Sequence, residues 1–162
     1  MIVDEPEYSY REYSAISLLR KEDNYRKPSV CEIRYTNYIN CLLLPLLSVM
    51  PTYSLDETRA MGCLGLGVFM PITIKQDSVR LLKSCCEHWV SVLSVYQEPE
   101  ICVNYSDDQF ISVPRERLLT DLQKISDICT TYLLSPEEYY FYFDYNLLDV
   151  ARYFEDLSED ES

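Results

Sequence analysis

The sequence predicts an α+β fold: a helix-rich single domain with a small, mostly antiparallel sheet around an uncharged core segment. Three stretches carry that expectation. Tyr35 to Ile74 holds no charge except at Asp56, Glu57 and Arg59, in a chain where 25% of residues are charged. Val79, Leu82, Cys86, Trp89, Leu93 and Tyr96 recur at steps of three and four, the spacing of one helix face. Ile101, Val103 and Tyr105 alternate with polar neighbours, Ser106-Asp107-Asp108 turns, and Phe110 to Val113 returns as the second strand of a hairpin.

The uncharged block is the expected interior, because desolvating a charge is costly while apolar surface gains by leaving water. A membrane span is the rival reading. Pro45 and Pro51 break the run, and Asn37, Asn40, Ser48, Thr52 and Ser54 dilute it, so a core segment is preferred and no membrane partner is expected.

In order, residues 1–8 form an acidic lead-in. Tyr10, Tyr13, Ile16 (or Leu18) and Leu19 fall at helical spacing with charged residues between them, which predicts an amphipathic helix from about Ser9 to Arg26, ended by Pro28. Cys31, Ile33 and Tyr35 alternate with Glu32, Arg34 and Thr36, a strand with one wet face. Asn37 to Met50 is expected to be a buried helix kinked or restarted near Pro45. Ser54-Leu55-Asp56-Glu57 has the form of a capping box, so a helix is expected from Leu55 until Pro71. Ile72-Thr73-Ile74 reads as a short strand or extended connector.

Asp77 or Ser78 is the expected cap of the long helix, and Pro99 lies just past its end. Pro114 opens another helix, with Leu118, Leu119, Leu122, Ile125 and Cys129 inward. Ser135-Pro136-Glu137-Glu138 reads as a further helix start, leading into a last helix that carries Tyr139 to Phe143 and runs to about Leu157. The domain is expected to span residues 1–157, with residues 158–162 as an acidic tail.

The chain has 162 residues and a net charge of −13. Phosphate backbones and anionic lipid surfaces are repelled by such a field, so direct nucleic-acid binding is disfavoured and a basic partner surface is favoured. Gly62, Gly65 and Gly67 lie in an apolar run with no Lys-Ser/Thr after them, which is not a phosphate-binding loop. Seven cysteines, an odd number, stand mostly in apolar surroundings behind an acidic N-terminal stretch. They read as reduced thiols of a cytoplasmic or nuclear protein.

His88 is the only histidine, so any catalytic triad, Cys–His pair or imidazole metal site must use it. Cys85 lies three residues before it on the same helical face, but there is no Cys-x-x-Cys pair to complete a metal site. No metal, cofactor or catalytic residue is therefore expected. Asp107 and Asp108 lie in a turn, Glu137 and Glu138 at a predicted cap, and each reads as a solvated acid.

The aromatic run is the candidate site. In a helix its rings would point in every direction, so some would meet a partner. Tyr139, Tyr140, Tyr142, Phe143 and Asp144 are the expected partner-binding residues. Ser158, followed by Glu159, Asp160 and Glu161, is the expected phosphorylation site, in a setting suited to an acid-directed kinase. The expected function is a non-enzymatic protein–protein interaction module, a regulatory subunit, adaptor or inhibitor. Two alternatives are an acidic decoy for a basic nucleic-acid-binding site and, last, an enzyme built on a cysteine or carboxylate.

Overall fold

The structure is a computed structural model that describes residues 13–23, 27–47, 49–54, 56–62, 72–106 and 109–144. It is an α+β domain of three helices, a six-stranded sheet and a separate hairpin. The strands are β1 (Tyr13–Arg20), β2 (Cys31–Thr36), β3 (Thr52–Tyr53), β4 (Ala60–Gly62), β5 (Ile72–Ile74), β6 (Glu100–Ser106), β7 (Gln109–Pro114) and β8 (Tyr139–Asp144). The helices are α1 (Tyr38–Leu47), α2 (Gln76–Ser94) and α3 (Arg115–Leu134). The main sheet runs β2-β1-β8-β5-β3-β4 with every pairing antiparallel, and β6 pairs with β7.

The sheet is larger than the sequence predicts because two expected helices are strands. β1 occupies part of the first, and β8 stands where the last was expected to begin. Their pairing joins the two ends of the described chain, with Ile16 opposite Phe143 and Leu18 opposite Phe141. Residues from Ser14 to Leu19 are all buried, so β1 has no wet face to give it the two-residue alternation of an edge strand. Ile16, Leu18, Phe141 and Phe143 share one face with Ile72 and Ile74 and belong to the main core with α2 and α3. The opposite face holds Leu19, Tyr140 and Tyr142 as a smaller cluster.

Ser135 to Glu138 is a turn into β8 and not a helix start, with the Glu138 N–H bonded to the Ser135 carbonyl at 3.0 Å. The expected capping box is likewise a hairpin connection. Ser54 Oγ accepts the Arg59 N–H at 3.1 Å, and Glu57 turns its carboxylate to Lys21 at 3.1 Å. Glu57 itself has a φ of 61°, which ends any helix there. β4 follows in place of the expected helix, and the remainder of that prediction lies outside the described residues.

Three expectations hold closely. α1 accommodates Pro45 and buries Ile39 and Leu43. α3 starts directly after Pro114 and buries Leu118, Leu122, Ile125 and Cys129, while Leu119, also expected inward, is half-buried. The β6–β7 hairpin forms with Val103 and Val113 turned into the core. Met50, Ile72 and Ile74 are also buried, so the uncharged block contributes core residues at both its ends and its middle.

Candidate functional site

β8 places the expected partner-binding residues in the middle of the sheet, between β1 and β5. Tyr140, Tyr142 and Phe143 are buried and Tyr139 half-buried, while Asp144 is the last residue of the strand. Phe141 meets Tyr132 of α3 edge to face, with ring centroids 5.4 Å apart. Burying the run within the chain corrects the expectation that a surplus of rings is left for a partner. Aromatic side chains suit a pleated, two-sided core, so the run that would have crowded a helix fits a central strand. Ser158, Asp107 and Asp108 lie outside the described residues.

Exposed apolar side chains group on α2 and just past its end, while Val30, Val49, Phe110 and Leu134 are exposed elsewhere. Cys86 and Leu93 are buried, but Leu81, Val92, Val95 and Tyr96 are 44%, 41%, 79% and 45% exposed. His88 is exposed, and Cys85 and Trp89 are half-buried. At 100° per residue, Leu81, Cys85, His88, Val92 and Val95 form a seam with alternating steps of four and three, bordered by Trp89 and Tyr96. Ser84 and Ser91 border the other side. From Ser78 to Tyr96 this half of the helix carries no Asp, Glu, Lys or Arg. Arg80, Lys83 and Glu87 lie around the opposite flank, where Lys83 and Glu87 pair at 2.6 Å. Asp77, four residues before Leu81 on the same face, bounds this uncharged stretch with an exposed carboxylate at the start of α2.

The sequence suggests a stripe on α2, but it assigns Trp89 and Tyr96 to the core. The residues that would have exposed the second stripe are Leu81, Val92 and Val95, which are apolar yet fall outside the buried arc.

Cys86 is fully buried, and burial pushes its thiol up to about 12, with nearby acidic groups adding to the shift. Burial also raises Cys129 and Cys85. These thiols stay protonated at neutral pH, the form that is a poor nucleophile and a poor metal ligand. Among the described residues, no group of three or more His, Cys, Asp or Glu side chains is placed to hold a metal ion. Cys31, Cys41, Cys85, Cys86, Cys102 and Cys129 are free thiols. Among the described residues, no helix is long and apolar enough to cross a membrane.

Glu137 and Glu138 line a small cavity of about 250 Å³ with Arg20, Lys21 and Glu22. The Glu138 carbonyl accepts the Lys21 N–H at 3.0 Å, which ties the start of β8 to the end of β1.

No protein family, curated protein or solved structure was found to match the chain.

Proposed function

We propose that the protein is a non-enzymatic interaction module that binds another protein through the outer half of α2. The observation that supports this is the charge-free exposed seam of Leu81, Cys85, His88, Val92 and Val95, with Trp89 and Tyr96 beside it. Its four-three spacing suits the knobs-into-holes packing of a partner helix, and the aromatic rings supply anchors of the kind that dominate interfaces. His88 sits mid-seam, where a polar side chain fixes register at some cost in affinity. The acidic remainder of the surface favours a partner with basic groups flanking its apolar stripe.

The test is affinity capture with wild type and with the Leu81→Glu/Val92→Glu double variant. Both residues are substantially exposed, so the double variant should keep the wild-type melting temperature within a few degrees. Placing two carboxylates in the seam should remove any partner that wild type retains. Identical captured proteins from both baits would overturn the reading.

A further inference from the structure

The central strands of the sheet are buried on both faces, and the described helices account for only one of them. Ile16, Leu18, Phe141, Phe143, Ile72 and Ile74 belong to the core that α1, α2 and α3 complete. The other face is formed by Ala15, Ser17 and Leu19 of β1, Tyr140 and Tyr142 of β8 and Thr73 of β5, which alternate with the first set. All of these are buried, with Ala15 and Thr73 at 0% and Tyr142 at 1% exposure. The apolar cluster on this face nevertheless holds only Leu19, Tyr140 and Tyr142, and no helix residue among the described residues joins it. An apolar sheet face shielded from water needs a covering layer.

Two observations locate that layer. Glu32 and Arg34, the β2 residues opposite Ser17 and Ala15 on the same face, are exposed, so the cover lies over β1, β8 and β5 and stops short of β2. Along the strands, the Lys21 ammonium lies 5.3 Å from the centre of the Tyr140 ring and shields that end. Tyr142, Ser17 and Ala15 lie toward the opposite end, where β8 finishes at Asp144 beside Ala15. Residues 145–162 continue the chain from that point.

The sequence of this continuation has the pattern of a covering helix. Asn146 suits a helix cap, and Asp149 follows it as an acid in the first turn. Leu147, Val150, Ala151, Phe154 and Leu157 share one helical face, and Asp149, Arg152, Glu155 and Asp156 fall on the other. A helix over residues 147–157 rises about 16 Å, and the strand from Ala15 to Leu19 extends about 14 Å, so the stripe and the buried strip match in length. Residues 1–12 offer no comparable stripe, because Pro6 interrupts them and Asp4, Glu5, Glu7, Arg11 and Glu12 leave no apolar side.

We infer that residues 147–157 form an amphipathic helix that docks on this second face, so that the chain's own C-terminal segment is the third layer of the domain. The chain turns back at residues 145 and 146, and the helix crosses Tyr142 toward Tyr140 with its charged side toward water. It withholds Tyr140 and Tyr142 from other proteins, which makes the face a contact within the chain, separate from the α2 seam.

The test is an NMR measurement of side-chain proximity on the full chain, with labelled methyl and aromatic groups. Nuclear Overhauser contacts are expected from the Tyr142 ring to Leu147, Val150 and Phe154. A Val150→Asp/Phe154→Asp variant should lose them and should speed amide exchange at Ser17 and Tyr142 by about tenfold or more, with Leu122 and Ile125 of α3 unchanged. Arg152→Ala/Asp156→Ala, on the water side, should keep the contacts, and so should Leu81→Glu/Val92→Glu on the α2 seam. Contacts from the Tyr142 ring to Ile2 or Val3 would give the face to the N-terminal segment. Contacts found only between labelled and unlabelled chains in a mixed sample would give it to a second copy. Either result overturns the inference, as does a Tyr142 ring without contact to the stripe, or unchanged exchange at Ser17 and Tyr142 in the Val150→Asp/Phe154→Asp variant.

Discussion

Asp121 in α3 accepts the backbone N–H of Thr36, the last residue of β2, at 2.9 Å, and its side chain is fully buried. Arg117 Nε lies 3.1 Å from the same carboxylate oxygen, and Lys124 Nζ lies 3.5 Å from the other. Lys124 also reaches the Arg34 carbonyl at 3.4 Å. One carboxylate thus joins two turns of α3 to the edge of the sheet, where β2 gives way to α1. Nearby, the Ser14 hydroxyl donates to the Asn37 side chain and accepts from Asn40 at 3.3 Å, continuing the polar contacts around the same strand end.

Asp121→Ala should cost about 3–5 kcal/mol, because it removes a fully buried carboxylate that Arg117 and Lys124 both contact and leaves the buried Thr36 N–H without its acceptor. The comparison is Arg34→Ala, which removes an exposed contact of 3.8 Å to Glu32 and should cost under about 0.5 kcal/mol beyond scatter. Urea denaturation of both variants decides the point. Similar midpoints would show that the Asp121 contacts do not hold α3 to the sheet.

The contrast between α3 and the two central strands shows what a sequence can reveal. α2, α3 and the β6–β7 hairpin each have one face toward the core and one toward water, so their hydrophobic period survives in the sequence. β1 and β8 are buried on both faces. Their residues show no two-step alternation, and the chance spacing of Tyr13, Ile16 and Leu19 imitates a helix. The remaining signal in Tyr139 to Phe143 was composition, since a short run of aromatic residues bounded by Pro136 and Asp144 suits a central strand. The Ser54 and Ser135 stretches do turn the chain, but each leads into a strand and not a helix. The apolar seam on α2 was only half legible, because a sequence shows that Val92 and Leu81 are apolar without showing that no other element covers them.

Alkaline pH should destabilise the fold in a defined window. Burial pushes Cys86 and Tyr132 up to about 12, against ordinary values of 9.0 and 10.0, with nearby negative groups adding to both. Burial also raises Tyr35 and Cys129. Each group is neutral when protonated, and the folded state holds its proton more tightly than the unfolded chain. Below about pH 9 both states keep these protons and the full stability is present. As pH rises from there toward 12, the unfolded chain releases protons that the folded state retains, so stability falls. Each fully buried group adds about 1.4 kcal/mol per pH unit to the slope while only its unfolded form is ionised. Unfolding midpoints measured between pH 8 and 11 should therefore decline, with a shallower decline in Cys86→Ala and in Tyr132→Phe. A level profile from pH 9 to 11 would contradict the burial of these thiols and phenols.

Folding of this chain should wait for its last described strand. β8 lies between β1 and β5, and its register pairs Ile16 with Phe143 and Ile72 with Phe143 across its two edges. Without it the six-stranded sheet divides into β2-β1 on one side and β5-β3-β4 on the other, each with an open edge and an apolar face uncovered. The helices cannot compensate, because the core face of α3 packs Tyr132 against Phe141 of that same strand. A chain ending at Leu134 retains all three described helices yet should show no cooperative urea transition, since small isolated sheet fragments are marginal in water. The same topology predicts slow refolding of the full chain. Bringing β8 beside β1 closes a loop over most of the sequence before the central pairings can contribute, and such non-local folds refold in milliseconds to seconds. Stopped-flow fluorescence from Trp89 on α2 can follow the process. A cooperative transition in the chain ending at Leu134, or refolding in microseconds, would mean that the core assembles without its central strand.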